Sequence, residues 1–280
     1  MSQLRRLTRE LDKLGELIFV GLGLGDEKGI SLRGVGEIKE ADAVFAELYT
    51  SPMPRLSVQR LEKLVGKKVS IVSRRVLEEE EGGVILQQAK KGKTVLLVPG
   101  DPLIATTHVD LRIRAEGQGV KTRIIHGASV ISAVVGLSGL QNYKYGRSVT
   151  IPFPENGFIS ETPYRVIGEN RKMGLHTLCF LDIRADEKRY MTVKDGLETL
   201  LTVEKRKRSQ VITKETLVVG IARAGSKKPI VKACYVENMI TYDFGSPPHT
   251  LVFPGKLHFM EAEALVTTAG APEEVRERVQ

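Results

Sequence analysis

The sequence predicts a two-domain α/β protein with a largely parallel N-terminal sheet and a mixed C-terminal sheet. Three observations carry that expectation. Short apolar, β-branched runs alternate with helix-length amphipathic segments through the first half of the chain. Glycine-rich or polar loops follow three of those runs directly, at residues 21–26, 99–102 and 126–129. After residue 217 the strands come too close together for helical crossovers. Parallel strands need crossovers of a dozen residues or more, whereas antiparallel strands can be joined by tight turns.

The elements follow in order. Residues 17–20 form the first strand, which enters a glycine-rich loop, and a helix begins near Ser31. A second strand spans 43–46. The helix over 58–65 places Val58, Leu61, Leu64 and Val65 on one side and stops at Gly66. A third strand spans 69–72, and helical residues up to Lys91 end at Gly92. The apolar strand 95–98 runs straight into Pro99-Gly100. A helix over 107–116, a fifth strand over 121–125 and a helix from Ser129 complete the first half. Residues 136–146 are rich in glycine and polar groups and mark the boundary. The expected division is an N-terminal extension over 1–14, an N-terminal domain over 15–138, a linker over 139–147 and a C-terminal domain over 148–280. In the last, strands are expected at 148–151, 177–183, 217–222, 230–235 and 251–253, with helices at 164–173, 192–207 and 259–266.

Composition narrows the function. Of 280 residues, 41% are hydrophobic and 27% charged, which fits a globular protein and not a disordered one. At about 150 residues per domain, the length points to two domains. Cys179 and Cys234 form no C-x-x-C pair, so a zinc knuckle or redox motif is not supported, and Cys179 reads as a small core hydrophobe. Two cysteines in such a chain fit a reducing, cytoplasmic setting. No secretory signal is expected, and no stretch approaches the roughly 20 apolar residues of a membrane span. Residues 1–14 carry Leu4, Leu7, Leu11 and Leu14 at helical spacing with Arg5, Arg6, Arg9 and Lys13 between them. They read as a short amphipathic helix packed on the body, with a partner- or membrane-surface helix as the alternative. The net charge of +8 favours acidic partners or nucleic acid without saying which. The cluster Lys205, Arg206, Lys207 and Arg208 is explained by the dipole of the helix it ends. Aromatic residues are 5% and do not interleave the basic ones, so a stacking platform for single-stranded nucleic acid is not expected.

Candidate chemistry gathers at strand ends. Gly21-Leu22-Gly23-Leu24-Gly25-Asp26 lets the backbone turn tightly and approach a ligand. Its third glycine comes one place too early for a dinucleotide fingerprint, and no G-K-[ST] completes a phosphate loop. Pro99-Gly100-Asp101-Pro102 sets a carboxylate where a strand leaves the sheet, suited to ribose hydroxyls or an amino group, though the same residues make ordinary turns. His126-Gly127-Ala128-Ser129 offers a helix-capping hydroxyl or a ligand contact. Three such loops would line one site. Ser246-Pro247-Pro248-His249 resembles the S/D/N-P-P-aromatic motif of amino-methylating enzymes of another fold, but with His249 for the aromatic residue it reads as a rigid loop. The five histidines show no H-E-x-x-H or H-x-x-E-H spacing, so no metal is expected, and no G-x-S-x-G elbow is present.

These residues resemble the diphthine synthase family, in its archaeal form. The run from Gly21 through Asp26 to Gly34 resembles its opening; so do Pro99-Gly-Asp-Pro-Leu-Ile-Ala-Thr-Thr-His108, Ala222-Arg-Ala-Gly-Ser226 and Asp243-Phe-Gly-Ser-Pro-Pro-His249. The resemblance covers about residues 17–272, and the joint order of its motifs is specific. It implies the tetrapyrrole-methylase type of two-domain α/β fold, a homodimer, and S-adenosyl-L-methionine held in a cleft between the domains. The family's cofactor-contacting positions fall on Leu24, Asp101, Ile104, Ser129, Val130, Leu181, Ala224 and His249. The implied substrate is translation elongation factor 2, methylated on the amino group of a 3-amino-3-carboxypropyl-modified histidine, with no nucleic acid required. No catalytic base is assigned. The rival readings are a sister methylase acting on a tetrapyrrole or ribosomal RNA, and a non-catalytic basic protein that binds RNA; the second explains the charge but not three loops at strand ends.

Overall fold

The computed structural model describes residues 15–279, so the expectations for residues 1–14 lie outside the described residues. By contact the chain divides into two units, Met1–Ser129 and Val130–Gln280.

The first unit is built from β1 (Glu16–Gly21), α1 (Leu32–Glu40), β2 (Ala43–Glu47), α2 (Val58–Val65), β3 (Ser70–Val72), α3 (Gly83–Ala89), β4 (Lys93–Val98), α4 (Val109–Gly117) and β5 (Lys121–Ile125). The sheet runs β3-β2-β4-β1-β5, and every pairing is parallel. Leu17 to Val20 of β1 and Val95 to Val98 of β4 are wholly buried, which is why these strands read as continuous apolar runs rather than alternating ones. One core gathers Ile18, Val20, Ile38, Leu61, Val65, Val95 and Leu97. Ser31 and Ser57 cap α1 and α2 through their hydroxyls, and Gly66 ends α2 in the left-handed conformation at φ 70°. The helix expected up to Lys91 is interrupted. A π-helical turn, Arg75–Glu79, precedes Gly82, whose φ of 66° forces a break before α3.

The second unit contains α5 (Val130–Ser138), β6 (Val149–Ile151), α6 (Thr162–Lys172), β7 (Thr177–Leu181), β8 (Ile183–Arg184), β9 (Arg189–Tyr190), α7 (Val193–Lys207), β10 (Leu217–Ala222), β11 (Ile230–Tyr235), α8 (Val236–Met239), β12 (His249–Phe253) and α9 (Phe259–Ala269). Its main sheet runs β11-β10-β12-β7-β6. The β6–β7 pair is parallel and the rest antiparallel, as the close strand spacing predicts. Alternate residues feed two cores. Cys179, Leu181 and Leu251 pack with Ile167, Leu197 and Leu200. Leu178, Val219, Ile221 and Val252 pack with Val134, Leu265 and Val275.

Three further details differ from the sequence expectation. The units part at Ser129, ahead of the expected 139–147 linker, because Val134 and Leu140 belong to the second unit's core. The strand expected over 177–183 breaks at Asp182, whose carboxylate accepts the backbone N–H groups of Phe153 (2.9 Å) and Ile183 (2.9 Å). His249, read as a loop residue, opens β12 and is buried.

Candidate functional site

Because β4, β1 and β5 are neighbours running the same way, the loops that follow them leave one edge of the first unit's sheet. Their backbones cross there. Gly100 N–H donates to Gly23 O (2.8 Å) and Gly23 N–H to Gly100 O (3.1 Å). A Cβ on Gly21 would lie 2.5 Å from Gly100 O and 2.6 Å from Gly127 N; one on Gly127 would lie 2.4 Å from Gly100 O. No side chain fits at either position, so glycine is required here for loop against loop. The convergence expected from sequence is present, and these glycines close the three loops on one another.

Asp101 sits at this crossing. Its side chain is buried, one oxygen 2.7 Å from Nδ1 of His126 and the other accepting Leu103 N–H at 3.3 Å. A carboxylate on the 99–108 loop is thereby fastened to the loop after β5, and His126 itself is exposed. Beyond Asp101, Ile104 is 40% exposed, an apolar side chain presented to solvent, and Ala105 holds a φ of 55°. Such a φ costs a non-glycine residue energy and persists only where the surroundings enforce it. Leu24 is half-buried in the first loop, Ser129 closes the unit, and Val130 begins α5.

The other three expected positions come together in the second unit. β10 and β7 both run antiparallel to β12, so the ends of β10 and β7 share an edge with the start of β12. That edge carries Leu181, the 223–224 turn and His249. Arg223 has a φ of 54°, donates its N–H to Pro248 O (2.8 Å), and reaches Phe244 O and Ser246 O with its guanidinium (2.6 Å each). The cation pins the 243–248 segment beside Ala224. His249 Nδ1 accepts Val193 N–H at 3.3 Å, so Nε2 carries the proton, and this buried Nε2 makes no hydrogen bond among the described residues. Burial pushes the His249 pKa down and keeps the ring neutral. An orphaned buried donor is the mark of a missing acceptor.

One cluster is invisible in any sequence motif. Glu47, the last residue of β2, is fully buried. It accepts Tyr49 N–H (3.0 Å), Thr50 N–H (3.1 Å), the Thr50 hydroxyl, and Nε2 of His108 (3.1 Å). His108 ends the 99–108 loop. The loop is therefore anchored at one end by the Gly23–Gly100 bridge and at the other by Glu47. Among the described residues no group of three or more His, Cys, Asp or Glu could hold a metal ion, and no helix is long and apolar enough to cross a membrane.

Comparison with known proteins settles the family. Residues 16–238 match the model of the Tetrapyrrole (Corrin/Porphyrin) Methylases. The diphthine synthase of Methanosarcina acetivorans is 51% identical over 269 residues, covering 94% of this chain and all of that protein. The chain belongs to the diphthine synthase family. The family's member from Methanothermobacter thermautotrophicus is 46% identical, over 94% of this chain and 99% of its own length. A crystal structure of diphthine synthase superposes with a TM-score of 0.85 at 43% identity, over 94% of this chain and 100% of that one. A crystal structure of a protein from Entamoeba histolytica gives 0.84 at 36% identity, over 92% of this chain and 99% of that one. As a member of this family the chain is a methyltransferase, and the sister-methylase and non-catalytic readings fall away.

Proposed function

We propose that the chain transfers methyl groups from S-adenosyl-L-methionine to the amino nitrogen of a 3-amino-3-carboxypropyl-modified histidine of translation elongation factor 2, a step of diphthamide biosynthesis. The observation that carries this reading is the closure of the 21–26, 99–108 and 126–129 loops around Asp101, in a chain with full-length likeness to diphthine synthases. The cofactor contacts are assigned to Leu24, Asp101, Ile104, Ser129, Val130, Leu181, Ala224 and His249.

The residues fit that cofactor. The Asp101 carboxylate can accept from ribose hydroxyls or an ammonium group. The exposed Ile104 and half-buried Leu24 offer apolar contact to a purine. The proton on His249 Nε2 lacks the acceptor that a bound ligand would supply. When bound, the cofactor's sulfonium provides an already activated methyl group. What remains for the protein is to align a neutral amine in line with it and to exclude water, and alignment alone can supply much of the barrier reduction. The enzyme is assigned to the cytoplasm as a homodimer that needs no nucleic acid. Its charge of +8 steers it to an acidic face of the factor, so kcat/KM should fall as salt rises; insensitivity to salt would remove that role for the charge.

The test is intact-peptide mass spectrometry after incubation with S-adenosyl-L-methionine and elongation factor 2 carrying the modified histidine, with unmodified factor as control. Methyl gain confined to the modified peptide is expected and counts the transfers. No gain despite cofactor binding would overturn the substrate.

A further inference from the structure

We propose that Arg74 and Tyr49 form the recognition site for the carboxylate of the substrate's 3-amino-3-carboxypropyl group; the proposal rests on the function given above. β2 and β3 run parallel to β4, so the segments after Glu47 and Val72 open on the same sheet edge as the 99–108 loop. Ligands of open α/β sheets bind outside that edge. The loops after β1, β4 and β5 take up one part of it with glycine crossings and Asp101. The segments after β2 and β3 take up the remainder, and their side chains are of another kind.

Tyr49 is held from several sides. Its backbone is fixed by Glu47, the His108 ring meets it edge-on at 6.4 Å and 88°, and the Arg74 guanidinium stands 5.3 Å from its ring centroid. Its hydroxyl is nonetheless buried with no hydrogen-bond partner among the described residues. Burial, with the nearby Glu47 and Glu78 carboxylates, pushes its pKa up, so it stays a donor. Arg74 is exposed, and among the described residues its ion-pair contact is Glu78 at 3.9 Å, beyond hydrogen-bond reach. Glu78 in turn accepts the Thr107 hydroxyl of the 99–108 loop at 3.4 Å. A planar cation with five donors thus stands against a phenol that has one buried donor and no acceptor. That set matches a carboxylate, which a guanidinium can grip with two parallel hydrogen bonds. Arg74 also leads into the π-helical turn Arg75–Glu79, closed by Glu80 N–H to Arg75 O at 2.9 Å, a distortion found often at functional sites. An unmodified histidine has no carboxylate to offer, so the pair would select the modified residue.

The experiment is steady-state kinetics on Arg74→Ala, Arg74→Lys and Tyr49→Phe with modified elongation factor 2 as the varied substrate, beside calorimetry of S-adenosylhomocysteine binding. Arg74→Ala should raise KM for the factor about 10- to 100-fold while kcat moves less, the loss of a charged hydrogen bond. Arg74→Lys should recover part of that loss, and Tyr49→Phe, which keeps the ring in place, should raise KM several-fold. Affinity for S-adenosylhomocysteine should be unchanged in all three. An unchanged KM in Arg74→Ala, or a cofactor affinity that falls in step with KM, would overturn the proposal. A wild-type enzyme that methylates nothing on the modified factor would instead overturn the substrate reading, and the recognition site with it.

Discussion

Each unit buries a glutamate against a histidine, and the two pairs are finished differently. In the second unit Glu261 accepts Nε2 of His176 (2.9 Å), the N–H groups of Gln141 (2.8 Å) and His258 (2.8 Å), and the ammonium of Lys144. Lys144 also reaches Lys256 O at 2.6 Å, and His176 Nδ1 accepts Gly255 N–H at 2.9 Å. A buried carboxylate there has its own half-buried cation, and the network ties the segment after α5, the approach to β7 and the start of α9 into one knot. In the first unit Glu47 is met by amides, a hydroxyl and His108, and among the described residues His108 is its ion-pair contact. The same two residue types fasten a core in one place and anchor the end of the 99–108 loop in the other. A buried pair therefore cannot be read as structural or functional from its own chemistry; its neighbours decide.

The largest expected effect is on stability. Glu261→Ala leaves the buried His176, two backbone donors and the half-buried Lys144 without their carboxylate and should cost about 3–5 kcal/mol in urea unfolding. Glu47→Ala leaves no lysine or arginine behind and should cost less, about 1–3 kcal/mol, while lowering activity on the modified factor more than its stability loss explains. The reverse order of stability losses would break the comparison. Gly127→Ala places a methyl 2.4 Å from Gly100 O and should cost about 1–3 kcal/mol and weaken S-adenosylhomocysteine binding measurably by calorimetry.

Acid should separate the units next. Arg123 and Lys93 hold the Glu37 carboxyl at about 2 in the first unit. In the second, burial works against ionisation of Glu261, but the His258 and Gln141 N–H groups, Lys144 and His176 hold it at about 2. All these folded values lie below the unfolded ones, so their stabilisation is present above about pH 4.5 and is lost as pH falls toward about 2. His176 and His249, both lowered by burial, add a loss that begins below about 6.5, and both lie in the second unit. Amide exchange between pH 6.5 and 4.5 should therefore lose protection in β7 and β12 before β1 and β4; equal loss in both sheets would remove the distinction. The smallest effect should be stabilising. A Cβ on Gly36 of α1 would meet nothing within 4 Å, so Gly36→Ala should add about 0.5–1 kcal/mol to the first unit with no change in cofactor binding.

Much of the fold was legible because it is locally encoded. β1 and β4 announce themselves as unbroken apolar runs, and Ser31 and Gly66 bound their helices by capping chemistry. Asp101 was legible as a carboxylate at a strand end. Leu181 and Ala224 carry no chemistry of their own and came from the family resemblance alone. Where the units part is not legible in the sequence, because the apolar residues of α5 do not say which core they join. Glu47 and His108 lie 61 residues apart, and Tyr49 and Arg74 meet through a ring contact, so nothing local links them.

The strand order has a consequence for biosynthesis. β1 lies between β4 and β5, so as the chain is made from its N-terminus, this strand, apolar from Leu17 to Val20, emerges with both edges bare. Its first neighbour becomes available only once Val98 has been added, and Gly21 meets its last crossing partner only with Gly127. Bare apolar strand edges invite pairing with other chains. The same arrangement that sets three loops side by side thus leaves the nascent first unit dependent on protection until its final strand has cleared the ribosome.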